Sequence, residues 1–285
     1  MIGLIGLGLM GRPIGLRLLA AGHPLMVWNR SPEKALPLIR EGARAATDLA
    51  EIGQHCQLIL LCLSDAEAVR AVVLGATGLG VLQPQQLIVD LSSISPEQTR
   101  AIAAQTAAHW VDAPVSGGVR GAENGSLVVM AGGQEQDIDR LRPIAQAFSQ
   151  RLTAMGGLGC GQVSKLCNQL IVAANSLLIA EAIALAEAAG VDATRLPSAL
   201  AGGYADSLPF QTLAPRMASH QHEPVQWKVA TLRKDLANVL QCAATEGLPL
   251  KLAALALQQL DQAMHAGWQE DDLSRIIDLY GVKLC

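Results

Sequence analysis

The N-terminal glycine pattern constrains the fold more than any other feature of this chain. The apolar run Ile2–Ile5 has the length of one buried strand and is followed directly by the sequence GLGLMG. Gly6 allows a tight turn, Gly8 leaves room for a pyrophosphate to approach the backbone, and Gly11 allows a helix to pack closely on the sheet. A second apolar segment, Pro24–Trp28, follows. In this strand–turn–helix–strand context the glycines predict a dinucleotide-binding unit, whereas alone they would also suit an ordinary turn.

The residues after the second strand indicate which dinucleotide is preferred. A carboxylate at that position would accept a hydrogen bond from the adenosine ribose 2′-hydroxyl and repel a 2′-phosphate. This chain has Asn29 there, followed by Arg30 and Ser31. Arginine offers a rigid set of donors that suits phosphate, so we predict a preference for NADPH over NADH. The alternative is that Arg30 is a solvated loop charge and that NADH serves equally.

The first half of the chain alternates apolar runs with helical patterns, which is typical of a Rossmann-type, doubly wound parallel sheet. The predicted strands are Ile2–Ile5, Leu25–Trp28, Leu58–Cys62, Leu87–Asp90, Trp110–Ala113 and Val128–Ala131. The predicted helices between them are Pro13–Ala21, Pro32–Glu41, Ala66–Val73 and Pro96–Ala108. The segments Gly75–Gly80 and Val115–Gly125 are predicted to be loops because they carry several glycines.

From about Gly161 onward the apolar residues recur only at helical spacing. Ser164–Ala189 is predicted to be one long helix that ends at Gly190. Further helices are predicted at Ala193–Ala199, Gln226–Glu246, Leu250–Ala266 and Asp271–Leu279. We therefore predict an α/β fold with an NADP-binding Rossmann domain over residues 1–158 and an all-α domain over residues 159–285. The long helix joins them, and the substrate site is expected at their interface.

Composition excludes several classes of partner. The net charge is −4 and there is no basic block, so neither nucleic acid nor an anionic membrane is expected to bind. The apolar segment Leu170–Ala186 is interrupted by Asn175 and Glu181, which favours a buried helix over a membrane span. The first strand begins so early that no signal peptide is expected, and a cytoplasmic location is predicted. The apolar C-terminal helices predict a homodimer or homotetramer.

Cysteine and histidine positions suggest no metal site. Six cysteines are scattered without CxxC spacing and are expected to be free thiols. They are Cys56, Cys62, Cys160, Cys167, Cys242 and Cys285. His220 and His222 lie in a polar segment at a spacing poorly suited to a helical metal site, so no metal is predicted.

Two segments carry candidate chemistry. Ser116, Gly117 and Gly118 follow a predicted strand, where consecutive backbone amides can converge on an anion; the alternative is an ordinary glycine-rich turn. Lys165 is placed in the first turn of the long helix, with Asn168 one turn later on the same face. A partly desolvated lysine there can give its proton to a developing alkoxide, although a solvated lysine is the simpler interpretation.

A third charged point lies within the predicted helix Gln226–Glu246. Lys234 and Asp235 are adjacent there in an otherwise apolar sequence. The pair is interpreted either as closing over the cofactor or as an exposed ion pair of little energetic consequence.

Taken together, five motifs resemble those of the β-hydroxyacid dehydrogenase family over nearly the whole chain. They are GLGLMGRP (6–13), VDLSSISP (89–96), DAPVSGG (112–118), GQVSKLCNQ (161–169) and KDLAN (234–238). The resemblance implies an oxidoreductase that interconverts a small 3-oxo acid and its hydroxy acid. It also implies that Lys165 is the general acid/base, that Ser116, Gly117 and Gly118 bind the substrate carboxylate, and that Asn168 orients the substrate. The implied cofactor-binding residues are Gly6, Gly8, Leu9, Met10, Gly11, Asn29, Arg30, Ser31, Leu63, Ser93 and Lys234, of which Ser93 and Lys234 sit at the nicotinamide end.

The substrate signals point in different directions. SSISP with KLCNQ is most similar to the tartronate semialdehyde (2-hydroxy-3-oxopropionate) reductases, although Gln169 stands where a second Asn is common and Ser93 where Thr is common. Trp28-Asn29-Arg30 resembles the NADPH-using glyoxylate/succinic semialdehyde reductases. Tartronate semialdehyde is the first prediction and 3-hydroxyisobutyrate dehydrogenase activity an alternative. Imine reduction and a non-catalytic NADP-binding scaffold are further alternatives, and the presence of Lys165 argues against both.

Overall fold

The protein is described from a computed structural model, which covers residues 1–281. The contacts divide the chain into two units, the first running from Met1 to Lys165 and the second beginning at Leu166. The division falls inside the long helix. The first unit alternates strands with helices, and the second is helical.

The first unit is built on a nine-stranded sheet within residues 1–281. The strands are β1 (Ile2–Ile5), β2 (Leu25–Trp28), β3 (Arg44–Ala45), β4 (Leu58–Leu61), β5 (Leu87–Asp90), β6 (His109–Asp112), β7 (Val115–Ser116), β8 (Leu127–Gly132) and β9 (Ser149–Gly156). The order β3-β2-β1-β4-β5-β6 is entirely parallel and has the Rossmann arrangement. β8 then runs antiparallel to β6 and β7, and β9 pairs parallel with β8. The predicted fold class is confirmed, with an antiparallel addition at one edge.

Burial explains which strands were predictable. β1, β4 and β5 are buried along their whole length, as expected for central strands covered on both faces. β9 was not predicted. Its sequence SQRLTAMG is mostly exposed, so it has neither an apolar run nor a regular alternation. β3 has only two residues, both exposed, and was missed for the same reason.

Within the described residues, seven α-helices lie between the strands of this unit. They are α1 (Gly11–Ala20), α2 (Leu36–Arg40), α3 (Leu49–His55), α4 (Ala66–Leu74), α5 (Pro96–Ala103), α6 (Gly118–Asn124) and α7 (Glu135–Ala145), with a 3-10 turn at Pro32–Ala35. The prediction of a loop over Val115–Gly125 was wrong, because the chain forms β7 and α6 there. α3 and α7 were also missed. α5 is shorter than predicted, although its start is fixed by a capping box of Ser95 and Gln98.

The remaining helices are α8 (Cys160–Ala188), α9 (Leu196–Leu200), α10 (Leu208–Ala218), α11 (Val229–Thr245) and α12 (Lys251–His265), with 3-10 turns at Ala193–Arg195 and Leu273–Tyr280. α8 begins at Cys160, four positions before the predicted start at Ser164. α10 was missed, since Pro209 and Pro215 both lie in it and proline argues against a helix. Buried residues of α8, α10, α11 and α12 form one apolar core.

α8 is long and apolar enough to cross a membrane by length and composition alone, a test that core helices of soluble proteins also pass. Half of its most apolar window is buried inside the protein. Ile171, Leu178 and Leu185 recur every seven residues and are 61%, 60% and 70% exposed. A stripe of this kind suits a helix-to-helix contact. Homo-oligomerisation stays a prediction.

The cysteines show no zinc-type arrangement among the described residues. Cys56, Cys62, Cys160 and Cys167 are free thiols. Burial raises the pKa of the Cys56 thiol to about 11, which keeps it protonated at neutral pH. Cys285 lies outside the described residues.

Candidate active site

The turn after β1 contains two glycines that the fold itself requires, Gly6 and Gly11, and a third, Gly8, that the fold does not require. Gly6 has φ +94, and a Cβ atom there would lie 2.2 Å from the Cys62 carbonyl oxygen. A Cβ atom on Gly11 would lie 1.8 Å from the Gly6 carbonyl oxygen. A Cβ atom on Gly8 would meet nothing within 4 Å. Gly8 thus keeps open a surface that a side chain would fill, as a dinucleotide pyrophosphate requires.

The end of β2 is tied to this turn through Asn29. The Leu7 N–H donates to Asn29 Oδ1 at 2.9 Å, and Asn29 Nδ2 donates to the Ser31 carbonyl at 3.0 Å. Arg30 is exposed, and within residues 1–281 its guanidinium has no hydrogen bond or ion pair. The amide therefore fixes the shape of the turn and leaves the arginine available to a ligand.

A buried polar network follows β5. Ser92 Oγ accepts from the Leu63 N–H at 2.9 Å, and the Ser92 N–H donates to Asp90 Oδ1 at 2.9 Å. The Ser92 carbonyl accepts from Gln162 Nε2 at 2.8 Å. Ser93 is half-buried, and its hydroxyl makes no hydrogen bond within the described part of the chain. Ser92 therefore holds the loop, while Ser93 keeps its hydroxyl for another partner.

Asp112, at the end of β6, receives the start of α8. Its Oδ1 accepts from the Gly159 N–H at 2.7 Å, and its Oδ2 accepts from the Gln162 N–H at 2.8 Å. A carboxylate at a helix N-terminus satisfies free amides and complements the helix dipole. The approach is close: a Cβ atom on Gly161 would lie 2.4 Å from the Met130 carbonyl oxygen. The first turn of α8 is thereby fixed at the carboxyl edge of the sheet.

Lys165 stands one turn after Gln162 in α8. Residues three apart share a side of a helix, so Lys165 lies on the side whose Gln162 faces the loop after β5. The expectation that Lys165 lies in the first helical turn was wrong, because α8 begins at Cys160. Lys165 is the sixth residue of α8 and so lies beyond the first turn, within which the unfavourable effect of the helix dipole on a cation falls off. Lys165 is half-buried.

Two buried carboxyl groups, those of Asp90 and Asp112, accept hydrogen bonds from the loop after β5 and from the start of α8. Burial raises the pKa of Asp90 to about 7, and Asp90 Oδ2 has no hydrogen-bond partner among the described residues. Burial also raises the pKa of Asp112 to about 6, although the N–H groups of Gly159 and Gln162 oppose the rise. The Asp112 carboxylate, in register with Asp90 across the β5–β6 pair, also raises the pKa of Asp90.

We expect Asp90→Asn to flatten the pH dependence of stability. Since the folded-state pKa of Asp90 is raised, the folded protein binds this proton more tightly than the unfolded chain does. Its contribution to the free energy of unfolding is therefore lost as pH rises from about 4 to about 7. Asparagine keeps the acceptor for the Ser92 N–H but cannot ionise. Urea unfolding should show that the wild type loses ~2 kcal/mol more than the variant between pH 5 and pH 8.

The exposed Asp139→Asn variant is the matched control, because Asp139 lies on the surface of α7 with its side chain 59% exposed. It should follow the wild-type pH profile. Parallel profiles for wild type and Asp90→Asn would show that Asp90 does not titrate in this range.

The predicted substrate loop lies at β7 and the start of α6. Gly117 and Gly118 have φ values of +129 and +62, which side-chain-bearing residues rarely adopt. Both glycines are exposed, Ser116 is half-buried, and a Cβ atom on Gly118 would meet nothing within 4 Å. The loop therefore presents backbone amides and a hydroxyl on an open surface.

In the helical unit, Asn168, Gln169 and Asp235 form a hydrogen-bonded chain. Asn168 Nδ2 donates to Gln169 Oε1 at 2.8 Å, and Gln169 Nε2 donates to the buried Asp235 Oδ2 at 2.5 Å. Lys234 Nζ lies 3.7 Å from Asp235 Oδ1, with its side chain 52% exposed. Gln169, which departs from the family pattern, thus orients the Asn168 amide.

Sequence reasoning missed the residues that hold the site together. Asp90, Ser92, Asp112 and Gln162 were not singled out as site residues. One signal was present: Asp90 and Asp112 each end an apolar strand, and the carboxyl ends of adjacent parallel strands meet at one edge of a sheet. No signal in the sequence linked Gln162 to Ser92.

The Rossmann strand order and the open backbone at Gly8 define a dinucleotide-binding protein. Residues 1–157 match the family model described as the NAD binding domain of 6-phosphogluconate dehydrogenase. Residues 159–280 match the model described as the NAD-binding domain of NADP-dependent 3-hydroxyisobutyrate dehydrogenase. The chain belongs to the β-hydroxyacid dehydrogenase family and is a dehydrogenase of hydroxy acids that binds a pyridine nucleotide.

Individual relatives agree over the full length. The 2-hydroxy-3-oxopropionate reductase of Escherichia coli is 34% identical over 280 residues, covering 97% of this chain and 95% of the relative. The structure of Mycobacterium tuberculosis 3-hydroxyisobutyrate dehydrogenase with L-serine matches with a TM-score of 0.88 and 28% identity, covering 98% of both chains. A structure of Psf3 in complex with NADP+ and 2-OPP matches with a TM-score of 0.83 and 29% identity, covering 98% of this chain and 99% of Psf3.

Proposed function

We propose that this protein is an NADPH-dependent reductase of a small 3-oxo acid, with tartronate semialdehyde as the first candidate. The observation that carries the proposal is the anchoring of the Lys165 helix. Gln162 bonds the loop that bears Ser93, and Asp112 fixes the first turn of α8. A proton donor is thereby held beside a loop that the family resemblance assigns to the nicotinamide. The choice of substrate rests on the 34% identical relative and on the SSISP and KLCNQ motifs.

In this proposal the chain contributes binding, orientation and proton transfer. The Ser116 hydroxyl and the amides of Gly117 and Gly118 bind the substrate carboxylate, which fixes the carbonyl group. When bound, NADPH supplies a hydride to the aldehyde carbon. Lys165 donates its proton to the carbonyl oxygen as negative charge develops there, which yields the alcohol. The neutral amine then regains a proton from solvent, and the reverse reaction uses Lys165 as the base.

The cofactor residues divide by role. The amides of the turn at Gly8, Leu9 and Met10 face the pyrophosphate at the start of α1, where the positive end of the helix dipole lies. Arg30 binds the 2′-phosphate, and Asn29 ties the turn after β1 to the end of β2. This assignment is supported by the exposed guanidinium, which has no partner among residues 1–281, and by the lack of a carboxylate at the end of β2.

The remaining assignments follow the family resemblance. Leu63 and Ser93 contact the cofactor from the loops after β4 and β5, which Ser92 joins by its hydrogen bond to the Leu63 N–H. For the helical unit, Asn168 is assigned to orient the substrate and Lys234 to bind the cofactor.

A panel of aldehydes tests the proposal. Tartronate, succinic and methylmalonate semialdehydes and glyoxylate are each assayed with NADPH and with NADH. We expect one semialdehyde to be reduced with NADPH preferred. Arg30→Ala should lower kcat/KM for NADPH by about 10- to 100-fold, the equivalent of one or two charge-assisted hydrogen bonds, and leave the NADH value nearly unchanged.

Arg40→Ala is the control in this panel, since Arg40 is an exposed arginine at the end of α2. Turnover of methylmalonate semialdehyde alone would assign the protein to the 3-hydroxyisobutyrate dehydrogenases. Amine formation from a cyclic imine without semialdehyde turnover, or tight NADPH binding without any turnover, would contradict the proposed reaction.

A further inference from the structure

We propose that the helical unit contains a divalent metal site of the zinc type, formed by His220, His222 and Asp278. One nitrogen of each imidazole and one carboxylate oxygen all lie within 4.8 Å of one another. His220 Nδ1 lies 3.3 Å from Asp278 Oδ1, and His222 Nε2 lies 3.8 Å from Asp278 Oδ2. Two histidines and a carboxylate are a ligand set that suits Zn²⁺. The sequence spacing of the histidines could not show this, because Asp278 joins them only in the folded chain.

The distances are close to those of a coordinated ion. With zinc–ligand bonds of about 2.0–2.1 Å, tetrahedral ligands lie roughly 3.3 Å apart. The His220–Asp278 pair already has this separation at Oδ1, and the His222–Asp278 pair exceeds it by about half an ångström at Oδ2. All three ligand atoms lie within 4.8 Å of one another, so side-chain rotations that bring both nitrogens towards one ion would complete the site, with a fourth position for water.

The second nitrogen of His222 fixes its tautomer. The Ser274 hydroxyl donates to Asp272 Oδ1 at 2.7 Å, so its oxygen can only accept from His222 Nδ1–H, which lies 2.9 Å away. His222 Nε2 is then the unprotonated nitrogen, and its lone pair points towards Asp278.

Glu187 supplies the independent indication of a ligand. Its carboxylate is 9% exposed and lies 3.3 Å from His220 Nε2, and neither of its oxygens has a hydrogen bond among the described residues. Metal-bound histidines usually orient the second ring nitrogen towards a carboxylate. Glu187 stands in that position behind His220, while His220 Nδ1 faces Asp278.

The charge around the cluster favours a cation. Glu187 and Asp278 carry two negative charges when both histidines are neutral. Two cations lie nearby, and each is paired with a further carboxylate. Arg275 Nε lies 3.5 Å from Asp278 Oδ2 and its guanidinium is shared with Asp271, whereas Arg216 donates to the His222 carbonyl and pairs with Asp272. A divalent ion would compensate the buried Glu187 carboxylate and connect α8, the segment after α10 and the 3-10 turn Leu273–Tyr280.

Metal binding to the full-length protein tests this site. Chelator-treated protein is titrated with Zn²⁺ by calorimetry and with Co²⁺ by visible absorption, which reports tetrahedral coordination. We expect one ion per chain. His222→Ala and Asp278→Asn should each weaken binding by at least about 100-fold, and Glu187→Gln by about 10- to 100-fold through His220. The exposed His265→Ala variant should bind like the wild type.

Circular dichroism and NADPH binding verify that each variant is folded. The absence of stoichiometric binding in the wild type would overturn the proposal. So would unchanged binding in folded His222→Ala and Asp278→Asn variants. Either result would identify the cluster as a network of ion pairs and hydrogen bonds that does not bind a metal.

Discussion

We expect the Lys165→Ala substitution to lower kcat by about 10²- to 10⁴-fold and to leave the affinity for NADPH nearly unchanged. This range is the usual contribution of a positioned general acid. Because Asp112 and Gln162 hold the start of α8, removal of the side chain should leave the helix and the cofactor loops in place. The measurement is steady-state kinetics with the preferred semialdehyde, together with calorimetric titration of NADPH.

Two further variants distinguish the chemical role of Lys165 from a structural one. Lys34→Ala, at an exposed lysine in the turn Pro32–Ala35, should retain full activity. Added methylamine should partly restore turnover in Lys165→Ala, since a small ammonium can occupy the space of the missing group. A Lys165→Ala enzyme that keeps most of its activity would contradict the proposed mechanism.

Gly8→Ala and Gly11→Ala should separate ligand binding from folding. A Cβ atom on Gly11 meets the Gly6 carbonyl oxygen at 1.8 Å, so this variant should lose about 2–4 kcal/mol of unfolding free energy. A Cβ atom on Gly8 meets no protein atom within 4 Å. Gly8→Ala should therefore keep the wild-type Tm without cofactor and weaken NADPH binding by about 100-fold, through displacement of the pyrophosphate.

Thermal unfolding with and without NADPH measures both effects. The cofactor should raise the Tm of the wild type but scarcely that of Gly8→Ala, because stabilisation by a ligand depends on its concentration relative to its Kd. Gly22→Ala is a control for positive φ, since Gly22 has φ +83 and open space around it. Normal NADPH affinity in Gly8→Ala would refute the assignment of this turn to the pyrophosphate.

The elements that could be predicted are those whose own residues carry the pattern. β1, β2, β4 and β5 are buried apolar runs, and their predicted bounds differ from the observed ones by at most one residue. β9 and α10 were missed for different physical reasons. β9 is an exposed edge strand that depends on pairing with β8, and α10 is stabilised by burial of Phe210, Leu213 and Met217 despite its prolines. In both, tertiary contacts outweigh local preference.

The candidate site shows the same division. The glycine turn, Asn29 and Lys165 could be predicted because each belongs to a short motif whose residue spacing can be recognised in the sequence. The hydrogen bond between Gln162 and the Ser92 carbonyl joins residues 70 positions apart, and no spacing rule predicts such a bond. The cluster of His220, His222 and Asp278 was invisible for the same reason, since Asp278 lies 58 positions from His220.

The network around Ser92 also bears on how such an enzyme can evolve. Leu63, Ser92, Gln162 and Asp112 are linked by buried and part-buried hydrogen bonds, so a change at one of them is expected to disturb the others. The loop Ser116–Gly118 lies outside these bonds on an open surface. Mutations near that loop can therefore accumulate singly without disturbing the lysine helix. Under the proposed assignment of this loop to the substrate carboxylate, selection can then redirect the enzyme to a new acid while the proposed hydride-transfer chemistry is inherited unchanged.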